Sequence, residues 1–186
     1  MLYFAKPNQI KNYPNTRLVN VTSHAKDIFR ELSPFLLGPV NLYANYKAQN
    51  VENGWQFAKL YPEHADALGN PTARYFSWSR TGWNSTYAYR YPMGKGKIPL
   101  CTWWNGNKLS YIEARKQVYI PLYSTAVRQT QAFQELTVIH QKEDLVIVDF
   151  DVYDRGFLNW NAIISNPRLK MGHGFVLGML LEGFLA

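Results

Sequence analysis

Residues 144–153 read DLVIVDFDVY, and this stretch decides the fold. Leu145, Ile147 and Asp149 alternate with Val146, Val148 and Phe150. Apolar side chains therefore fall on both faces of an extended chain, the pattern of a strand covered on either side. Toward the C-terminus, GHGFVLGMLLEGFLA (172–186) reads as a helix opened by glycines. Toward the N-terminus, SYIEARKQVYIPLYSTAVRQTQAFQEL (110–136) is the longest helical region. Ser110 and Glu113 have the spacing of a capping box. Pro121 lacks an N–H donor and is expected to kink or split that helix.

Further out, residues 83–108 read as loop and hairpin material, rich in Gly, Asn, Tyr and Trp. NPTARYFSWSR (70–80) opens a helix with Asn70 as N-cap and Pro71 in its first turn. EHADALG (63–69) reads as a helical turn ended by Gly69. VENGWQFAKLY (51–61) places Trp55, Ala58 and Leu60 at helical spacing. HAKDIFRELS (24–33) reads as a short helix and TRLVNVTS (16–23) as a strand. The sum is one compact α+β domain over 1–186, with a small sheet and helices dominating the second half. With 186 residues, 47% of them apolar, a single core is available and global disorder is not expected.

Several function classes drop out. Cys101 is the lone cysteine, so no disulfide framework or cysteine zinc site can form, and it is expected to be an inert packed thiol. His24, His64, His140 and His173 show no metal-ligand spacing, so neither metal nor cofactor is expected. The longest apolar runs are too short and glycine-broken for a membrane span, and the first residues show no secretory leader. The expectation is a cytoplasmic protein. MGKGK (93–97) lacks the rest of a phosphate-binding loop and reads as a solvated turn. Gly172, Gly174 and Gly178 have their third glycine one residue late for a dinucleotide fingerprint.

The net charge is +7, and most of it sits in one place. Between Asp66 and Glu113 no acid occurs, while Arg74, Arg80, Arg90, Lys95, Lys97 and Lys108 do. Tyrosines and tryptophans interleave with them. Cations neutralise phosphates and rings stack on bases, so residues 74–111 suit a nucleotide or nucleic acid. The alternative is a β-rich surface whose rings pack inward and whose lysines and arginines keep it solvated. Among the carboxylates, Glu52 opens an aromatic-rich helix, at the end that favours negative charge. Asp149 and Asp151 share one face of the 144–153 strand by the period of two.

Six segments, in order, resemble the NADAR superfamily of YbiA-like N-glycosidases. ELSPF (31–35) is similar to its early turn. VENGWQFAKLY resembles its signature helix, with Glu52, Gln56 and Lys59 at matching positions. NPTA (70–73) is similar to a following S-P-x-x-A element. YIEARKQVYIPLYSTAV resembles a later helix, with Tyr111 in place of Trp. DLVIVDFDVYDRG resembles the strand before D-x-Y-W-G, with Asp154-Arg155 in place of the Trp. KMGHGFVLGMLLEG (170–183) is similar to the closing G-x-L-L-x-E segment, without that family's Asn near Phe175.

The resemblance implies an N-glycosidase that cleaves the ribose–base bond of an ADP-ribosylated nucleobase or related phosphorylated nucleotide. Glu52 then carries the main catalytic role, Asp151 is a second carboxylate, and Lys59 pairs with Glu52 or holds phosphate. Substrate contacts fall to Gln56, Trp55, Arg80, Tyr111, Tyr153, Gly172 and Gly174. The implied partner is an ADP-ribose-like nucleotide, free or as ADP-ribosylated nucleic acid, with no membrane and no metal. The competing expectation is a non-catalytic binder of nucleotides or nucleic acid through residues 74–111.

Overall fold

A run of four aliphatic residues can be buried on both faces only if its backbone is also paired on both edges. The computed structural model, which describes residues 1–185, shows that arrangement. In chain order the elements are β1 (Leu2–Ala5), β2 (Arg17–Asn20), β3 (Val40–Asn41), β4 (Lys47–Ala48), α1 (Val51–Gln56), β5 (Lys59–Leu60), α2 (Ala73–Asn84), β6 (Cys101–Trp104) and β7 (Asn107–Leu109). There follow α3 (Tyr111–Ala114), a π-helical turn (Arg115–Tyr119), α4 (Ile120–Val127), α5 (Gln131–Lys142), β8 (Leu145–Val148), α6 (Trp160–Ile164) and α7 (His173–Leu181). Short 3-10 turns occupy Pro7–Asn12, Ile28–Leu32 and Pro62–His64. The fold is α+β.

The chain divides into two units, Met1–Leu36 with Tyr123–Ala186, and Leu37–Leu122. In the first, β8 lies between β1 and β2 in an all-parallel sheet of order β1-β8-β2. Leu2 and Arg17 both register with Leu145, and Ala5 and Asn20 with Val148. All four β8 residues are buried. α7 packs on β1 and β8. Phe4 meets Phe175 at 4.9 Å and Trp160 edge-on at 5.9 Å between ring centres.

The second unit holds the β3–β4 hairpin, α1, α2 and the antiparallel sheet β5-β6-β7. β6 and β7 are joined by Asn105 and Gly106, both at positive φ, as a two-residue hairpin of this twist requires. The capping box of α3 forms: Ser110 Oγ accepts from Glu113 N, and Ser110 N donates to Glu113 Oε2 at 2.8 Å.

Four expectations are corrected. The helix at 51–61 stops at Gln56, because Phe57 and Ala58 leave it to feed β5, so Lys59 stands on a strand. The N-cap position of α2 falls to Thr72, without a side-chain cap bond, and not to Asn70, whose side chain instead bonds Asp66 in a turn. The long helical region is not split at Pro121. Ile120 N donates five residues back to Arg115 O, and this π-helical turn loosens the ladder just where proline supplies no donor. The break comes at 128–130, where Thr130 caps α5. Finally, β8 ends at Val148, so Asp149 and Asp151 lie beyond the strand rather than along one face.

Candidate functional site

In the second unit, Asn50 caps α1 by accepting from Asn53 N at 2.8 Å, and the six helical residues that follow are all buried. One of them is a carboxylic acid: Glu52 is 6% exposed. Burying a carboxylate is costly unless other groups hold it. Glu52 Oε1 accepts from Gln56 Nε2 at 2.9 Å, one helical turn on. Gln56 Oε1 accepts in turn from Lys59 Nζ at 2.6 Å. The amide is thereby oriented, with its NH2 toward the anion and its oxygen toward the cation. Lys59 Nζ lies 5.1 Å from the centre of the Trp55 ring. Trp55 itself is buried against Tyr119 at 5.2 Å. Burial lowers the Lys59 pKa to about 8, and the nearby Glu52 charge opposes that fall.

The strand exit at Gln56 builds this chain of contacts. A helix continued to Lys59 would put the amine two turns above Glu52. Instead the backbone turns into β5, pairs Lys59 with Thr102 of β6, and sends the amine back to Gln56.

Other expected site residues of this unit fall elsewhere on it. Arg80 is exposed on α2. Tyr111 is half exposed at the start of α3, where its ring covers the guanidinium of Arg115 at 4.3 Å and its hydroxyl accepts from Arg115 Nη2 at 2.8 Å. Arg115 is 1% exposed, a buried cation within the π-helical turn. The sequence reading did not single it out, although an arginine between Ala114 and Val118 in a capped helix was the available signal. Trp83, a ring of the 74–111 stretch, is buried in a cluster with Tyr43 and Tyr46. Cys101 is half-buried in β6, and burial raises its pKa, which keeps it a thiol.

In the first unit the buried acid is Asp149, at 3% exposure. Oδ1 accepts from Phe150 N at 2.6 Å and Oδ2 from Gly174 N at 3.1 Å. His173 Nδ1 stands 3.3 Å from Oδ2. Its Nε2 lies 2.8 Å from Val21 O, which can only accept, so Nε2 carries a hydrogen. Gly172 and Gly174 make this approach possible: a Cβ at Gly172 would overlap Asp149 Oδ2, and one at Gly174 would come within 3.1 Å of Asp149 Cβ. Asp151 is half-buried, with Lys170 Nζ at 3.6 Å, and its carbonyl accepts from Gly172 N. Tyr153 packs edge-on against Phe175 at 4.8 Å.

Among the described residues, no group of three or more His, Cys, Asp or Glu is placed to hold a metal ion. No helix among them is long and apolar enough to cross a membrane.

These features define an α+β protein with a buried carboxylate–amide–amine chain on one unit and a buried aspartate–histidine pair on the other. Residues 4–156 match the model of DUF6939, a family of unknown function, and the chain belongs to that family. The match takes in Glu52, Gln56, Lys59 and Asp149 and stops short of α7. No curated protein matches the chain.

Proposed function

We propose that the protein is an N-glycosidase that hydrolyses the bond between ribose and base in an ADP-ribosylated nucleobase or a related phosphorylated nucleotide. The substrate class comes from the resemblance to the NADAR superfamily. The observation that supports it is the buried Glu52 carboxylate, held by Gln56 and linked through it to the Lys59 amine.

Breaking the C1′–N bond leaves positive charge on the ribose carbon and ring oxygen. A carboxylate fixed before the reaction stabilises that charge more in a poorly solvated site than in water. In this reading Glu52 faces the sugar and accepts a proton from the attacking water, while the electron pair of the broken bond leaves with the base. Gln56 holds Glu52 in one rotamer. Lys59, with a pKa near 8, is protonated at neutral pH and donates to the leaving base or to a phosphate. The step draws on side chains and water. We place the protein in the cytoplasm, where phosphorylated nucleotides are made.

The test is Glu52→Gln on an ADP-ribosylated guanine substrate. Loss of general-base chemistry lowers the hydrolysis rate by about 10²- to 10⁴-fold. An unchanged rate overturns the assignment.

A further inference from the structure

The residue after Glu52 does something the proposed reaction does not need. Asn53 is fully buried, yet its side chain bonds no neighbour on its own helix. Its Nδ2 donates to Ser85 O at 3.0 Å and to Tyr87 O at 2.8 Å, and its Oδ1 accepts from Tyr89 N at 2.9 Å. One amide thus pins the backbone of residues 85–89. The pinned segment carries Tyr87, Tyr89 and Tyr91 at alternate positions, and all three are exposed, Tyr87 at 68% and Tyr91 at 44%. Tyr87 and Tyr89 meet edge-on at 4.8 Å, Tyr89 leans on the buried Phe57 at 5.7 Å, and the Arg90 guanidinium lies 5.5 Å from the Tyr91 ring.

Exposed rings grouped together on a surface mark an interaction site rather than a core. The charge of the same stretch of sequence states the partner's sign. No carboxylate occurs from residue 67 to residue 112, and Arg74, Arg80 and Lys95 are exposed there. Lys97 and Lys108 are engaged, by Glu63 and by the carbonyl of Leu68.

We infer that this tyrosine arm is a platform for single-stranded nucleic acid, its rings stacking on unpaired bases while cations of the same acid-free stretch meet the phosphates. Base faces are open in a single strand and closed in a duplex, so rings of this kind select the strand. Because Asn53 follows Glu52 on α1, the arm is fixed to the element that carries the proposed catalytic acid. The inference rests on the hydrolase reading only in its corollary, that the cleaved adduct sits within a strand.

The experiment is fluorescence anisotropy of the full chain with a labelled, unmodified oligonucleotide of about 12 nucleotides, which spans a site of the usual size and needs no catalysis to be read. Tyr87→Ala and Tyr91→Ala each weaken binding by roughly 5- to 150-fold, while Tyr87→Phe keeps it. Wild-type affinity falls between about 50 and 200 mM salt, with a log–log slope near −2 if three phosphates are neutralised. Alanine variants that bind like wild type, a duplex bound as tightly as the strand, or displacement by polyglutamate as effective as by unlabelled strand would each overturn the inference. Strand binding without hydrolysis of a strand-borne adduct upholds the platform and removes the hydrolase. Hydrolysis of a free nucleotide without strand binding does the reverse.

Discussion

Each unit buries one carboxylate at the end or start of a regular element, and the two are held in different ways. Asp149 is gripped largely by backbone: the N–H groups of Phe150 and Gly174, with the His173 ring beside it. Glu52 accepts from a side chain, the Gln56 amide, which accepts in turn from Lys59. An acid locked by backbone donors and a histidine spends its charge on joining β8 to α7. In the proposed function, the acid held by a side-chain amide is the one that meets the sugar.

The sharpest way to break that contrast is to remove each acid in turn. Asp149→Ala leaves the N–H groups of Phe150 and Gly174 without their acceptor and the His173 ring without its partner, and costs about 2–5 kcal/mol in denaturant unfolding. Glu52→Gln keeps volume and one acceptor, and changes stability by less than about 1 kcal/mol. If the two variants lose stability equally, both acids are structural and the distinction is void.

A glycine pair sharpens it further. At Gly172 an added Cβ overlaps a carboxylate oxygen and lies 3.0 Å from the Asp151 carbonyl, neither of which can yield. Gly172→Ala is expected to cost about 1–3 kcal/mol. At Gly54 on α1 the nearest atoms are the tips of Leu122 and Leu42, at 2.9 and 3.1 Å, and such ends rotate. Their displacement is offset by up to about 1 kcal/mol of helix propensity, so Gly54→Ala is close to neutral. Thermal unfolding of both variants decides it; a Gly54→Ala loss as large as that of Gly172→Ala would show α1 to be as tightly cradled as α7.

These two regions were not equally legible in the sequence. β8 announced itself, because a run of Leu-Val-Ile-Val between acids has few other ways to be buried. So did the α3 start, because Ser110 and Glu113 form a bond pair set by local spacing. β1 did not: LYFA is a four-residue parallel strand whose partners Leu145 to Val148 lie over 140 residues away, and nothing local marks it. The end of α1 was missed since Phe57 and Ala58 suit a helix well. What draws them out is tertiary, the ring of Phe57 set on Trp78 at 4.7 Å and the Ala58 carbonyl accepting from Trp103 N and Tyr75 OH. Glu52, Gln56 and Lys59 come from the family resemblance, and the structure sets them in one chain of contacts with Lys59 on a strand. Asp151 was preferred to Asp149, and period-two alternation could not tell them apart. Which of the two is buried depends on the glycines of α7.

The smallest expected effects concern protons. His64 is buried on the ring of Trp78 at 4.6 Å, and burial lowers its pKa below the usual 6.5. The unfolded chain therefore binds this proton first as pH falls, and stability drops below about pH 6.5. In His64→Phe that part of the acid sensitivity disappears from urea titrations taken between about pH 5 and 7.

Lys59 works in the same sense at the other end of the scale. Its folded pKa of about 8 lies below the unfolded value of roughly 10.4, so the unfolded state holds more protons between these values and this contribution to stability rises with pH across that window. The cause of the depression is burial, opposed by Glu52. Glu52→Gln removes the opposing charge, and the Lys59 pKa falls further, by an amount readable from the carbon shifts of its side chain in an NMR titration. Asp149→Asn is the matched control, since burial and the Glu52 charge are the causes that set the Lys59 pKa. If the lysine titrates alike in wild type and Glu52→Gln, the amide between them carries no electrostatic coupling, and the carboxylate and amine of α1 and β5 act separately rather than as one site.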